Sequence, residues 1–386
     1  MKRSCFGLVG ATTIGLAPAK SSPRMAQRWV NMHHPELRHP YSDLPSYQFW
    51  KRSVSAVEAH LVDPVTRPRF TVGKEEWVAT AGSCFAQHIS RRISRSGYQY
   101  LVTEDRADLS ADERTAAGYG LFPARFGNIY TTVQLLQLFE EAFGERSTSS
   151  EAWQRPDGRY VDPLRQQIEP GGFATPDCVK QDRVRHLQCV RRMFEQADVF
   201  IFTLGLTEAW RSRANGTVFS AAPGVVGGAF DPNHHEFVNF SVEETYAALR
   251  DFLAKFHMVN PAAKVLLTVS PIPLIATYED RSVLSSNTYS KSVLRVAAEM
   301  AIRDHDWVDY FPSYEIITNS SAGGLYYHAD YREVNGLGVA HAMRCFMHNY
   351  TTDGSSREAP APAQFDGHAA SRAVICDENI LDTARG

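Results

Sequence analysis

Four short, mainly apolar segments constrain the fold of this chain more than any other feature. They span residues 77–81, 197–204, 264–269 and 307–311. Apolar runs of this length without alternation are typical of strands buried on both faces of a parallel sheet. Helical periodicities separate or follow them, over residues 131–143, 179–195, 242–256, 290–302 and 338–350. Strands that alternate with helices predict βαβ units, and therefore an α/β fold with a parallel sheet between two layers of helices.

The predicted organisation is one α/β domain over residues 76–350 with extensions at both ends. Residues 1–25 resemble a weak signal peptide, since Lys2 and Arg3 precede a mildly apolar stretch. The alternative is that the translation start has been placed upstream of the true start at Met25. Residues 26–75 are rich in His and Pro and predict an irregular arm that packs on the core. Residues 212–240 predict a loop or hairpin insertion, and residues 351–386 a mostly disordered tail.

Composition excludes several classes of protein. The 386 residues are 44% hydrophobic, which excludes disorder throughout, and their formal net charge of −3 provides no field that favours nucleic acid. No apolar run reaches the roughly 18–20 residues of a membrane-spanning helix. Six scattered cysteines favour a reducing compartment, so we predict a cytoplasmic protein, with export as the alternative.

Two kinds of ligand find no support in the motifs. The chain has neither of the glycine-rich phosphate loops, so we predict no nucleotide cofactor. The histidines at positions 33, 34 and 39 and the sequence His234-His235-Glu236 lack the helical spacing of zinc ligands. We therefore predict no metal site.

The turn Gly82-Ser83-Cys84 is the strongest candidate for chemistry. It joins a predicted buried strand to a predicted helix, and ligands of open parallel sheets bind at the carboxyl ends of strands. The amino end of a helix also offers N–H groups to a developing anion. Ser83 is therefore a candidate nucleophile or a simple helix cap, and Cys84 is a reactive thiolate or a small buried hydrophobe.

Five ordered sequence blocks resemble the GSCFA family, which is named after residues 82–86. The blocks are Thr80-Ala81-Gly82-Ser83-Cys84-Phe85-Ala86-Gln87-His88-Ile89, Asn128-Ile129-Tyr130-Thr131, Phe202-Thr203-Leu204-Gly205-Leu206-Thr207-Glu208-Ala209-Trp210, Thr268-Val269-Ser270-Pro271 and Tyr289-Ser290-Lys291-Ser292. That family is similar to SGNH (GDSL-type) hydrolases. The resemblance implies a three-layer α/β/α, flavodoxin-like fold. It also implies ester hydrolysis or O-acyl transfer, with a carbohydrate or glycolipid ester as substrate.

The resemblance also implies roles for individual residues. It makes Ser83 the nucleophile, Gly127 or Asn128 the second-block group that binds the oxyanion, and Gly205 the third-block glycine. Asp330 becomes the late acid that orients the base.

Three departures from the superfamily pattern leave alternatives open. An ungapped alignment on Gly82 puts Cys84, not Ser83, at the nucleophile position. Thr207 and Glu208 stand where the superfamily has Asn-Asp; Thr207 can donate a hydrogen bond, whereas an ionised Glu208 cannot.

The third departure concerns the base, because Glu333 occupies the position of the usual histidine. The chain offers His328, His341 and His88 in its place, each of which is otherwise a structural histidine. A carboxylate of Glu208, Asp330 or Glu333 is the other candidate base. Without a base, the chain would be an inactive glycan-binding or assembly protein, and with a dry cleft it would be a non-hydrolytic acyltransferase.

Overall fold

The computed structural model describes residues 39–147 and 151–354. The predicted leader-like segment 1–25, the first part of the predicted arm and the predicted tail beyond residue 354 lie outside the described residues. The strands of the described part are β1 Val78–Gly82, β2 Trp153–Gln154, β3 Tyr160–Val161, β4 Val199–Leu204, β5 Glu208–Ser212, β6 His235–Asn239, β7 Lys264–Val269 and β8 Val308–Tyr310. Its α-helices are α1 Ala86–Arg95, α2 Ala111–Ala116, α3 Thr132–Ala142, α4 Pro176–Gln196, α5 Val242–Val259, α6 Val283–Asp304, α7 Ser313–Thr318 and α8 Gly336–Tyr350. None of these helices is both long and apolar enough to cross a membrane.

The central sheet is parallel and has the order β1-β4-β7-β8. The segment 99–101 lies on the outer side of β1, where Val78 accepts from Leu101 N and donates to Gln99 O, both at 2.9 Å. The pairing of this segment with β1 consists of one bridge, between Val78 and Tyr100. If the strands of this sheet are numbered along the chain, with segment 99–101 as the second, their order across the sheet is 2-1-3-4-5. This order is flavodoxin-like. The predicted fold class is confirmed.

Both faces of the sheet are buried, because alternate side chains of each strand point to opposite layers. Phe200 and Phe202 of β4 pack with residues of α3, α4, α5 and α6. Val199 and Ile201 of the same strand pack with residues of α1, α7 and α8. Because the strands are buried on both sides, their sequence segments are mainly apolar and do not alternate with polar residues.

Two peripheral features bear on the site. β5 and β6 pair in an antiparallel hairpin directly after β4, so the hairpin begins at Glu208, four residues before the predicted insertion. The arm contacts the domain along residues 62–72. Val72 N donates to Tyr350 O at 2.8 Å, and Val62 O accepts from the ring of His341 at 2.8 Å.

Candidate active site

The turn after β1 is fixed between β4 and the second sequence block. Ser83 N donates to Thr203 O at 3.0 Å, and Ile129 N donates to Gly82 O at 2.9 Å. Gly82 has a φ of +124°, and a Cβ atom there would lie 2.2 Å from Thr203 O. Only glycine fits such a close approach of two backbones. The turn that carries Ser83 is therefore held rigidly at the carboxyl end of the sheet.

The hydroxyl of Ser83 is not used to cap the helix. Phe85 occupies the cap position of α1 without a side-chain hydrogen bond, and Ala86 N donates to the backbone oxygen of Ser83 at 2.9 Å. The Oγ atom of Ser83 is buried and has no hydrogen-bond partner among the described residues. The capping interpretation is therefore wrong. A buried hydroxyl without a partner costs about 1–3 kcal/mol, so a functional reason for it is expected.

Ser83 and Cys84 line a small cavity that we call the 83–84 cavity. Its free volume is about 10 Å³, close to the room that one water molecule needs. Gly205 and Ser270, the residues that follow β4 and β7, lie on its wall. The cavity thus sits beside the crevice between β1 and β4, where the strand order reverses and where ligands of flavodoxin-like folds bind. The remaining lining residues are Tyr130, Leu206, Ile272, Pro273, Leu274 and Lys291.

Lys291 brings its amino group into this cavity. Its side chain extends from α6, is only 2% exposed, and donates from Nζ to Gly205 O at 2.6 Å. Lys291 lies in the block Tyr289-Ser290-Lys291-Ser292, and the sequence pattern predicts no role for it. The signal was present, because Lys291 precedes the buried residues Leu294 and Ala298 by three and seven positions. A lysine on the apolar stripe of a helix is rarely buried unless it is paired.

The third sequence block contributes its glycine to the cavity, but not its two polar side chains. Gly205 N donates to Tyr130 O at 2.9 Å, and a Cβ atom on Gly205 would lie 2.9 Å from the Tyr130 ring. Thr207 is directed elsewhere: its N–H donates to Ser290 Oγ at 3.0 Å and its hydroxyl to Asn239 Oδ1 at 2.7 Å. Both donors of Thr207 are therefore occupied.

Glu208 faces a different cavity. Its carboxylate accepts hydrogen bonds from the Thr277 hydroxyl at 2.7 Å and from Tyr278 N at 3.2 Å. Burial raises the pKa of this carboxyl, and the Thr277 hydrogen bond opposes that rise. These partners hold Glu208 against the segment that follows β7, away from the lining of the 83–84 cavity.

The second sequence block reaches the site through its backbone. Gly127, with a φ of +71°, and the buried Asn128 both line a neighbouring cavity on the side of residues 116–126. Neither belongs to the lining of the 83–84 cavity. Tyr130 is the residue of this block that lines it.

The three candidate histidines are placed apart from the 83–84 cavity lining. His88 lies in the first turn of α1 and packs on Phe85 with ring centroids 5.4 Å apart. Burial, with a smaller contribution from Arg91, lowers the pKa of His88 to about 4. His328 is exposed on a turn, where its N–H donates to Glu333 O at 2.8 Å.

His341 is engaged at both ring nitrogens. Nε2 lies 2.8 Å from Val62 O and Nδ1 lies 2.7 Å from the Tyr326 hydroxyl. Because a carbonyl only accepts, Nε2 carries the proton and Nδ1 accepts from Tyr326. Burial lowers the pKa of His341 to about 4. These contacts make His341 a neutral link between α8 and the arm.

The two late carboxylates lie across a wall from the nucleophile candidates. Asp330 Oδ1 accepts from the N–H groups of Arg332 and Glu333 at 3.0 and 3.1 Å, which holds the turn. Asp330 and Glu333 are exposed and line an open cavity together with Pro273 and Leu274. Pro273 and Leu274 also line the 83–84 cavity, so the segment 273–274 separates the two cavities.

Comparison with known families agrees with this arrangement. A sequence model of the GSCFA family matches residues 77–346, which include the turn after β1, Gly205 and Lys291. The chain belongs to the GSCFA family. In this GSCFA protein the matched region runs from the start of the central sheet to the middle of α8.

Two solved structures match the chain at low identity. The match to an acetyl esterase crystallised with an acetate ion covers 69% of this chain and 92% of the esterase chain, with 11% identity and a TM-score of 0.31. A carbohydrate esterase family 3 protein from Talaromyces cellulolyticus covers 70%, is covered to 94%, and has 10% identity and a TM-score of 0.31. No curated protein sequence matches the chain.

Proposed function

We propose that this GSCFA protein carries out acyl-ester chemistry, either hydrolysis or O-acyl transfer, on a carbohydrate or glycolipid ester. The single observation that carries the proposal is the 83–84 cavity. There a serine hydroxyl without a partner, a cysteine and a buried lysine share one space at the strand ends. Nucleophile, positive charge and an enclosed site are the parts that acyl transfer requires.

Lys291 replaces part of what a histidine would supply. A buried ammonium and the amino end of α1 both favour negative charge in the cavity, so they favour the thiolate of Cys84 or the oxyanion formed on attack. The Cys84 sulfur or Ser83 oxygen forms a bond to the ester carbonyl carbon, the ester C–O bond breaks, and the alcohol leaves with the proton that the thiol or hydroxyl gives up. Water or a sugar hydroxyl then takes the acyl group, and its proton returns to the sulfur or oxygen, which restores the nucleophile.

A second candidate function is a glycan-binding or assembly protein without turnover. Two observations favour it. None of the histidines in the described part of the chain lines the 83–84 cavity, and the backbone N–H groups of Ser83 and Gly205 are bonded to Thr203 O and Tyr130 O. An oxyanion would therefore need other donors.

Turnover of p-nitrophenyl acetate separates these functions. We expect kcat/KM to fall at least hundredfold in one of the variants Ser83→Ala and Cys84→Ala. The variant that lacks the nucleophile should lose more activity than the variant that lacks only the adjacent side chain. Cys189→Ala is the matched control, since Cys189 is equally buried but belongs to α4. Unchanged activity in both site variants would exclude this turn as the source of the nucleophile.

Covalent labelling and acceptor experiments complete the test. A fluorophosphonate or a thiol-directed acyl probe attached to residue 83 or 84 contradicts the binding-protein alternative. Release of free acid in water identifies a hydrolase, whereas acylation of an added polysaccharide in preference to water identifies an acyltransferase.

A further inference from the structure

A second cavity, next to the 83–84 cavity, is built from aromatic and aliphatic side chains. It has a volume of about 340 Å³, within the size range of small-ligand sites. We name it the aromatic cavity after Trp210, Phe219, Phe237 and Tyr278, which line it. We infer that it binds a medium-chain acyl group, so that the ester substrate carries an acyl chain of about six to ten carbons rather than acetyl. This inference rests on the proposed function.

The two cavities share part of their walls. Tyr130, Leu206 and Leu274 line both of them. An ester carbonyl placed at Ser83 or Cys84 therefore has one end of the substrate beside these three residues, next to the aromatic cavity. The polarity of the walls then favours one end of the substrate over the other.

Two polar side chains on the wall, Glu208 and Gln134, already have hydrogen-bond partners within the protein. Glu208 accepts from Thr277 and Tyr278. Gln134 accepts from Thr131 N at 3.0 Å and donates to Phe219 O at 3.0 Å. A sugar ring in this space would bury hydroxyl groups with few partners, which is unfavourable. A methylene chain has no such requirement, and its burial is favourable by the hydrophobic effect.

The aromatic side chains of the wall also contact one another. The ring of Trp210 lies 4.8 Å from that of Tyr278 and 5.0 Å from that of Phe230, and Phe237 lies 5.2 Å from Tyr278. Edge-to-face contacts at such distances stabilise the arrangement of the rings. A preformed apolar site of this kind binds without a large ordering cost.

The remaining side of the substrate has a different surface. The open cavity beside Asp330 lies on the other side of Pro273 and Leu274 and carries Asn287, Asp330 and Glu333 on its wall. Carboxylates and an amide suit the hydroxyl groups of an alcohol such as a sugar. The acyl chain thus belongs in the aromatic cavity and the alcohol on the Asp330 side.

A series of p-nitrophenyl esters tests the inference directly. With acetyl, butyryl, hexanoyl, octanoyl and dodecanoyl esters, kcat/KM should rise about fourfold for each methylene that becomes buried. It should then level off or fall once the cavity is full. A series in which acetyl is the best substrate would overturn the inference.

The variant Ala222→Phe gives a second, independent reading. Ala222 lines the aromatic cavity, and a phenyl group there reduces its volume. We expect the ratio of octanoyl to acetyl kcat/KM to fall at least tenfold. Ala262→Phe is the control, because Ala262 is exposed in the turn before β7 and lines neither cavity. An equal ratio in both variants and the wild type contradicts the inference.

Binding of octanoate, measured by calorimetry, separates this inference from the proposed function. If no ester is turned over but octanoate binds to the wild type at least tenfold more tightly than to Ala222→Phe, the acyl site stands and the proposed chemistry is wrong. If acetyl ester is turned over while octanoate binds no better than acetate, the chemistry stands and the acyl site is wrong. Circular dichroism of Ala222→Phe identifies a folding failure, and the wild-type series then decides.

Discussion

Replacing Lys291 by methionine removes the buried ammonium from the 83–84 cavity and keeps a side chain of comparable length. In the wild type this ammonium donates to Gly205 O at 2.6 Å and lines the same space as Ser83 and Cys84. The variant therefore tests whether the charge serves the chemistry or only the fold.

The expected loss of activity follows from the charge. Two unit charges about 5 Å apart interact by about 3 kcal/mol at an effective dielectric constant of about 20. If Lys291 stabilises an anionic nucleophile or transition state, its removal should lower kcat/KM by about 200-fold. The free energy of unfolding should change much less than the activity. Exchange of a buried charge for a well-packed apolar group is often neutral or stabilising, although Gly205 O loses a donor worth about 1–3 kcal/mol.

Three measurements decide the outcome. The first is kcat/KM for p-nitrophenyl acetate, the second the free energy of unfolding in urea. The third is the rate at which iodoacetamide alkylates Cys84, followed by mass spectrometry because Cys178 is exposed and also reacts. We expect slower alkylation at pH 7, since a thiolate reacts and a thiol does not. Lys264→Met is the control: Lys264 pairs with Glu76 at 2.6 Å, at the opposite end of β7.

One result would refute this reasoning. If Lys291→Met keeps kcat/KM and the alkylation rate within threefold of the wild type while the unfolding free energy falls by 2 kcal/mol or more, Lys291 is only a structural donor to Gly205 O. A loss of activity in the Lys264→Met control as well would point to a general effect of removing a lysine.

The remaining predictions concern the fold around the site. Gly82→Ala should lower the free energy of unfolding by more than 3 kcal/mol, because its Cβ would lie 2.2 Å from Thr203 O and non-glycine residues at positive φ are strained. Gly97→Ala, at a φ of +77° in open space, should cost only about 1–2 kcal/mol in the same urea titration. His341 stays neutral in the folded protein, with its pKa lowered from 6.5 to about 4 by burial. The unfolded chain binds the proton first, so stability is full above pH 6.5 and falls as pH decreases toward 4, by up to about 3 kcal/mol from this residue. His341→Gln should flatten that part of the pH dependence, and an unchanged slope between pH 7 and 5 would show that His341 does not titrate in this way.

Much of the fold could be predicted because its signals are local. The strand over 264–269 has the predicted bounds, and the strands predicted over 77–81 and 197–204 differ by one or two residues. Each is buried on both faces, so most residues of each run are apolar. α6 begins seven residues earlier than its predicted start at residue 290, because its first two turns are polar and partly exposed.

The sequence by itself determined the strand-helix alternation, the turn that carries Ser83 and Cys84, and the family, because each depends on residues adjacent in the chain. Only the tertiary structure decided which side chains share a cavity. Lys291 reaches Gly205 O because β4 and β7 are neighbours and α6 returns across their ends. Thr207 bonds to Asn239 of the β5–β6 hairpin, and His341 bonds to Val62 of the arm. In both cases the partner lies far away in the sequence. Strand order and loop paths set these contacts, and neither is encoded in a local periodicity.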